Sequence, residues 1–262
     1  HFMYQEVPFL DRFKAAAADG FRAVEICFAY DVGLDAVLQA LAETGQDLIS
    51  FNFPAGEFRM GEVRGLAGHP DKQDEFDAQM REGLAWARAT GAPRAIAPLA
   101  GMIPTDIDAA TCLETYICNI ARWVPELEMA DFTLLVEPNN AREHPNYLLT
   151  GMDLCREVVD RINSPNVQLL FDTYHIQIMD GDLVKSFEAH QSQIAHIQLG
   201  NNPGRHEPNR GEINHNYLFE IFAEKSYSGW IAGEYFPASD TRTGLAWLDD
   251  KQRQRNFSWT FR

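Results

Sequence analysis

Four side chains of the kind that bind hard cations, Glu137, Asp172, Gln198 and Glu234, each stand near the end of a short apolar run, and 35, 26 and 36 residues separate them. Each interval fits one strand plus one helix, so the four recur once per repeat of such a unit. Successive parallel strands would then aim one ligand each at a common point, where three carboxylates and an amide oxygen suit a hard divalent ion. The carboxylates interrupt apolar stretches in VEP, FDT and GEY, and IQL carries the amide. A buried unpaired carboxylate is expensive, so an ordinary salt bridge could account for any one of them, but four in register favour a shared metal. With no Cys or His in the set, Mg²⁺ or Mn²⁺ is preferred to a structural zinc. Four protein ligands leave octahedral positions open to water or substrate, which implies catalysis.

The elements that must position these groups alternate regularly. Apolar runs predict strands at 22–28, 47–53, 94–100, 132–138, 167–174, 194–199 and 229–235, and helical periodicity predicts helices at 8–18, 34–44, 71–90, 108–129, 152–162, 182–191 and 217–225. Asp108 is placed to cap one helix, and Gly20, Gly45 and Gly91 follow the last turns of three others. Strands apolar on both faces until their last residues suit a sheet covered by helices. The simplest closure is a (β/α)₈ TIM barrel spanning 1–262 as one domain, the first strand being truncated at the N-terminus, with the chemistry on the face where strands end. The long connections 52–70 and 199–214 both follow strand ends and should lie over that face.

Composition narrows the functional classes. Hydrophobic residues at 45% and charged residues at 23% indicate a globular core rather than disorder. A net charge of −16 argues against a nucleic-acid partner, which needs a basic stripe. No apolar run is long enough to span a bilayer and no leader opens the chain, so a soluble cytoplasmic protein without a membrane partner is expected. Cys27, Cys112, Cys118 and Cys155 form no CxxC pair and are expected to be buried reduced thiols. No GxGxxG or P-loop motif supports a nucleotide cofactor. Arg210 fills the place where an HExxH motif opening at His206 and Glu207 would need its second histidine.

The segments VPFLDRF, FRAVEICFAYD, LLVEPNN, LLFDTYHIQIMDGDL, AHIQLGNNPGRHEPNRGEIN and GWIAGEY resemble the hydroxypyruvate isomerase family, within the xylose-isomerase-like group of TIM barrels. The likeness covers nearly the whole chain, and GRHEP…GEI is its most specific part. It implies a metal set of Glu137, Asp172, Gln198 and Glu234. Related ketose epimerases carry His at the third place, so Gln198 favours the isomerase branch. It further implies that Glu137 and Glu234, on the fifth and eighth strands, are the catalytic acid/base pair. Chemistry agrees: moving one proton between adjacent carbons through an enediolate needs a base, an acid and a cation for the developing oxyanion. The FDTYH match assigns His175 to substrate oxygens. Arg205, on the loop after the seventh strand, offers a planar fork suited to a substrate carboxylate.

The expected reaction is the interconversion of hydroxypyruvate and tartronate semialdehyde by a metal-dependent isomerase. The alternatives are an isomerase of a four-carbon 2-oxo sugar acid and a ketose 3-epimerase. A DNA-repair endonuclease on the same barrel would need a basic face and several His ligands, and a binding protein without activity would have no use for both glutamates. The partner expected is a small hydroxy-oxo acid or sugar, and barrels of this size often form homo-oligomers. His206 and Glu207 could orient the Arg205 loop, and Glu212 could cap the helix after it. Trp86, Trp123, Phe219 and Phe222 read as core, and Phe53, Phe58 and Arg59 as part of a lid.

Overall fold

A computed structural model describes residues 1–55 and 65–248. Its strands are β1 (Ala23–Ile26), β2 (Asp47–Phe51), β3 (Arg94–Ile96), β4 (Thr133–Val136), β5 (Val167–Asp172), β6 (Ile194–Leu199) and β7 (Trp230–Gly233). Helices fill every interval: α1 (Asp11–Ala18) precedes β1, α2 (Leu34–Thr44) and α3 (Gln73–Thr90) flank β2, and α4 (Ala109–Ala121) with α5 (Val124–Met129) joins β3 to β4. The remainder are α6 (Met152–Ile162), α7 (Thr173–Met179), α8 (Leu183–His190), α9 (His215–Glu224) and α10 (Thr241–Gly244). All paired strands are parallel, and β3 to β7 lie side by side in chain order. A bridge between Asn52 and Ile96 carries the sheet from β2 to β3. A parallel sheet in sequential order, wrapped by its own crossover helices, is the TIM-barrel architecture.

Seven strands, the number legible in the sequence, are present among the described residues. The first residues of the chain touch both outer strands. The His1 amino group donates to the Glu25 carbonyl at 3.3 Å, and a Cβ added to Gly233 of β7 would meet the Met3 sulfur at 3.5 Å.

Strand alternation sorts the side chains into two layers. Leu134, Val136, Leu169, Phe171, Ile197 and Leu199 face the helices in the main core, while Ile96, Leu135 and Leu170 form a separate cluster inside the barrel. Asp172, two residues beyond Leu170, therefore also points inward. In β6 the register slips, Leu169 pairing with Ile194 but Leu170 with His196, so one extra residue bulges between them. The bulge brings His196 and then Gln198 onto the inner face.

Helix ends follow local chemistry. Asp108 accepts the Thr111 N–H at 2.8 Å, and Gly45 and Gly91 take the left-handed conformation after α2 and α3. The helix expected over 108–129 is two, because Pro125 has no N–H to continue the first and opens α5 instead. The strand expected over 167–174 stops at Asp172, whose carboxylate accepts the Tyr174 N–H at 2.8 Å and starts α7 without an intervening loop. Periodicity alone missed that helix. Glu212 does not cap α9: Asn214 does, accepting the Tyr217 N–H at 3.2 Å, while Glu212 reaches Gln177.

Two other expectations change. Phe53 is a core residue rather than a lid residue, stacked on Phe51 and packed against Phe132; Phe58 and Arg59 lie outside the described residues. The four cysteines are free, but Cys118 is exposed and Cys27 half-buried, leaving Cys112 and Cys155 as the buried thiols. Trp86, Phe219 and Phe222 are core as read, and Trp123 is partly buried with its ring N–H on Asp77 at 3.0 Å. Among the described residues no helix is long and apolar enough to cross a membrane.

Candidate active site

Parallel register explains how residues far apart in sequence meet. Asp172 and Gln198 are direct neighbours across β5 and β6. Glu137 follows the last residue of β4, and Glu234 follows β7 with its N–H bonded to the Leu199 carbonyl at 2.9 Å. All four stand at the C-terminal rim of the sheet, and Asp172, Gln198 and Glu234 are buried.

Glu137, Asp172 and His175 can bring one donor atom each within 4.8 Å of one another. Hydrogen bonding decides what His175 offers. Asn140 Oδ1 accepts the Glu143 N–H at 2.9 Å, which turns its amide nitrogen toward His175 Nδ1 at 2.7 Å. Nδ1 is thus an acceptor, and the ring proton sits on Nε2, 3.5 Å from Asp172 Oδ2 and 3.8 Å from Glu137 Oε1. A protonated nitrogen donates and does not ligate. Gln198 would suit a cation better than His175: its Oε1 is buried without a hydrogen-bond partner among the described residues. An orphaned inward oxygen beside three carboxylates is what a cation would satisfy.

Arg205 enters from the loop after β6. Its guanidinium lies between the rings of Phe2 and Tyr174, at 5.2 and 5.1 Å. One terminal nitrogen donates to Asp172 Oδ2 at 2.8 Å and to Glu234 Oε2 at 2.7 Å, and Nε donates to the Glu234 carbonyl at 3.2 Å. Arg205 therefore sits among the acidic residues rather than out over solvent. Asn201 pins its loop, donating to the Pro208 and Ile213 carbonyls at 2.8 and 3.1 Å and accepting the Asn202 and Ile213 N–H groups, both at 2.9 Å. His206 contacts the Phe236 carbonyl at 2.8 Å and Glu207 accepts the Ala238 N–H at 2.9 Å, so both tie this loop to the segment after β7. Below it, buried His215 bridges Thr173 Oγ1 at 3.1 Å and the Pro208 carbonyl at 2.9 Å.

The electrostatics are those of an over-charged acidic pocket. Burial, then the charges of Glu234 and Asp172, push the Glu137 carboxyl well above the usual range. Burial also raises Glu234, to about 7, although the Arg205 guanidinium pulls the other way. Asp172 is raised by burial against the same arginine. Arg205 itself is raised: burial opposes its charge and is outweighed by Glu234 and Asp172.

Several residues around the site were not singled out from sequence. Tyr174 donates to Glu143 at 2.5 Å, and Asn140 donates to Glu143 at 3.1 Å, forming a polar wall beside His175. Glu25, in the apolar run RAVEICF, faces inward and contacts His196 and Gln198. The same signal that marked Glu137, Asp172 and Glu234, a carboxylate inside an apolar run, could have found it.

The model of one protein family, described as xylose isomerase-like TIM barrel, matches residues 13–251. A 2-oxo-tetronate isomerase of Cupriavidus necator is 40% identical over 246 residues, 94% of each chain. A hydroxypyruvate isomerase of Escherichia coli is 34% identical over 247 residues, 94% of this chain and 95% of that one. A crystal structure from Brucella melitensis described as an AP endonuclease of family 2 superposes with a TM-score of 0.90 at 38% identity, covering 94% of this chain and 95% of that one.

Proposed function

We infer the reaction from one premise: this chain belongs to the xylose isomerase-like TIM barrel family and is an isomerase. We propose that it interconverts hydroxypyruvate and tartronate semialdehyde with a divalent cation, Mg²⁺ or Mn²⁺, held by Glu137, Asp172, Gln198 and Glu234. The observation that carries this reading is geometric: Glu137 and Glu234 stand at one rim of the sheet, after β4 and β7, with Asp172 and the orphaned Gln198 oxygen on the two strands between them. A carboxylate on either side of a bound substrate can take a proton from one carbon and return one to its neighbour.

In the forward direction one glutamate removes a proton from the carbon bearing the primary hydroxyl, and the C–H electron pair moves into an enediolate. The other glutamate delivers a proton to the neighbouring carbon, and the hydroxyl proton passes from one oxygen to the other. No atom is gained or lost. When bound, the cation supplies a positive charge for the developing oxyanion and fixes the geometry of the adjacent oxygens. His175, with its proton on Nε2, donates to a substrate oxygen. Arg205 presents its second terminal nitrogen, which makes no hydrogen bond among the described residues, to the substrate carboxylate.

A four-carbon 2-oxo sugar acid is the second reading, favoured by the 40% identity to the 2-oxo-tetronate isomerase. An assay of the Mn²⁺-loaded protein against three- to six-carbon hydroxy-oxo acids and ketoses separates the two. Highest kcat/KM on hydroxypyruvate supports the first. Turnover of four-carbon acids with none of three-carbon acids replaces it by the second.

A further inference from the structure

The third ligand is an amide, and an amide has a wrong side. Only its oxygen can bind a cation, so Gln198 works as a ligand only if something holds its nitrogen away. Gln198 Nε2 donates to Glu25 Oε2 at 3.2 Å, across from β6 to β1. The other oxygen of Glu25 is in contact with Nε2 of His196, a fully buried residue two positions before Gln198 on the same face of β6. The result is a closed path: His196 on β6 sets its Nε2 against one Glu25 oxygen, and the other Glu25 oxygen returns to β6 to accept from Gln198. Gln198 Oε1 is left as the orphaned acceptor facing the carboxylates. Were the amide turned over, its N–H groups would meet the cation, and its oxygen would face the Glu25 carboxylate.

We propose that Glu25, clamped by His196, is the positioning residue that fixes the amide orientation of Gln198 and so sets the affinity of the site for its divalent cation. The proposal rests on the metal reading above. It assigns Glu25 no part in proton transfer and no contact with substrate. Partners that orient metal ligands in this way are typically worth about 10- to 100-fold in metal affinity.

The test is Mn²⁺ binding by titration calorimetry, which needs no turnover, with circular dichroism and thermal melting in EDTA as folding controls. Glu25→Met removes the acceptor at nearly constant volume and should weaken Mn²⁺ binding by about 10- to 100-fold. Glu25→Gln removes the negative charge but keeps an oxygen to accept from Gln198. Its new N–H can face His196 Nε2 once the imidazole proton moves to Nδ1, an atom without a partner among the described residues. This conservative variant should therefore bind within a few-fold of the unaltered chain. Should Glu25→Met not fold, Glu25→Ala, which adds no bulk, takes its place. Equal losses in the apolar and the glutamine variants would reduce Glu25 to a mere charge and overturn the proposal, as would unchanged binding in the apolar variant. Failure of the unaltered protein to bind Mn²⁺ would instead sink the metal reading itself.

Discussion

Replacing Glu234 by glutamine should make the metal-free protein more stable at alkaline pH while it destroys activity. The carboxyl is buried and its pKa is raised from 4.5 to about 7. A raised folded-state value means the native state holds the proton more tightly than the unfolded chain. The stability gained is fully present below pH 4.5 and is lost as pH rises through 7. Holding a proton tenfold more tightly is worth about 1.4 kcal/mol, so ionising Glu234 in the native protein withdraws about 3 kcal/mol between acid and pH 8. Gln cannot ionise and has nearly the same shape. Urea unfolding in EDTA should give Glu234→Gln and the unaltered protein similar stability at pH 4.5, and a variant more stable by up to about 3 kcal/mol at pH 8. Arg205 loses one of its two carboxylate partners in the variant, but that attraction already opposes the rise in the Glu234 pKa and is contained in the value of about 7. Equal or lower stability of Glu234→Gln at pH 8 would refute the reasoning, because the carboxylate would then be at ease in its pocket. A residue that lowers stability at its working pH and is needed for turnover marks a functional site.

Three further outcomes are expected. Glu137→Gln should lower kcat by about 10²- to 10⁴-fold on the best substrate with no loss of thermal stability in EDTA, and a near-normal rate would remove Glu137 from the proton transfer. Gly83→Ala, in the middle of α3, should destabilise the fold by about 1–3 kcal/mol in urea unfolding despite alanine's better helix propensity, because its Cβ would stand 2.3 Å from the Phe53 ring. His215 is held neutral by burial, its pKa lowered from 6.5 to about 4, so it contributes stability above pH 6.5 that is lost as pH falls toward 4. His215→Phe should flatten that part of the stability–pH curve; an unchanged slope between pH 6.5 and 4 would show that the acid sensitivity lies elsewhere.

The barrel was legible because the four strands β4 to β7 each end in a chemical interruption. Glu137, Asp172, Gln198 and Glu234 stand out against apolar runs, and their spacing carries the βα period without any need for propensities. What stayed hidden depended on contacts between strands distant in sequence. RAVEICF shows a carboxylate, yet nothing in those letters says that Glu25 faces His196 and Gln198, 173 positions from the latter. The helix α7 was missed because LLFDTYHIQIM is apolar at both periods, and only the Asp172 side chain accepting the Tyr174 N–H shows where one period gives way to the other. Phe53 looked like a loop residue by position and is core by packing, since the chain continues inward for two residues past β2 before it leaves the sheet.

The direct passage from β5 into α7 has a consequence for how such a site can change. Asp172 ends the strand, caps the helix and meets Arg205, so three geometries are fixed by one side chain and no linker residue separates the two elements. An insertion there would uncap the helix and move the carboxylate together. Variation in substrate range has to be sought where no single side chain fixes strand, helix and site together, in the connections 139–150 and 201–214. A library aimed at new substrates should diversify those stretches and leave the β5–α7 junction untouched.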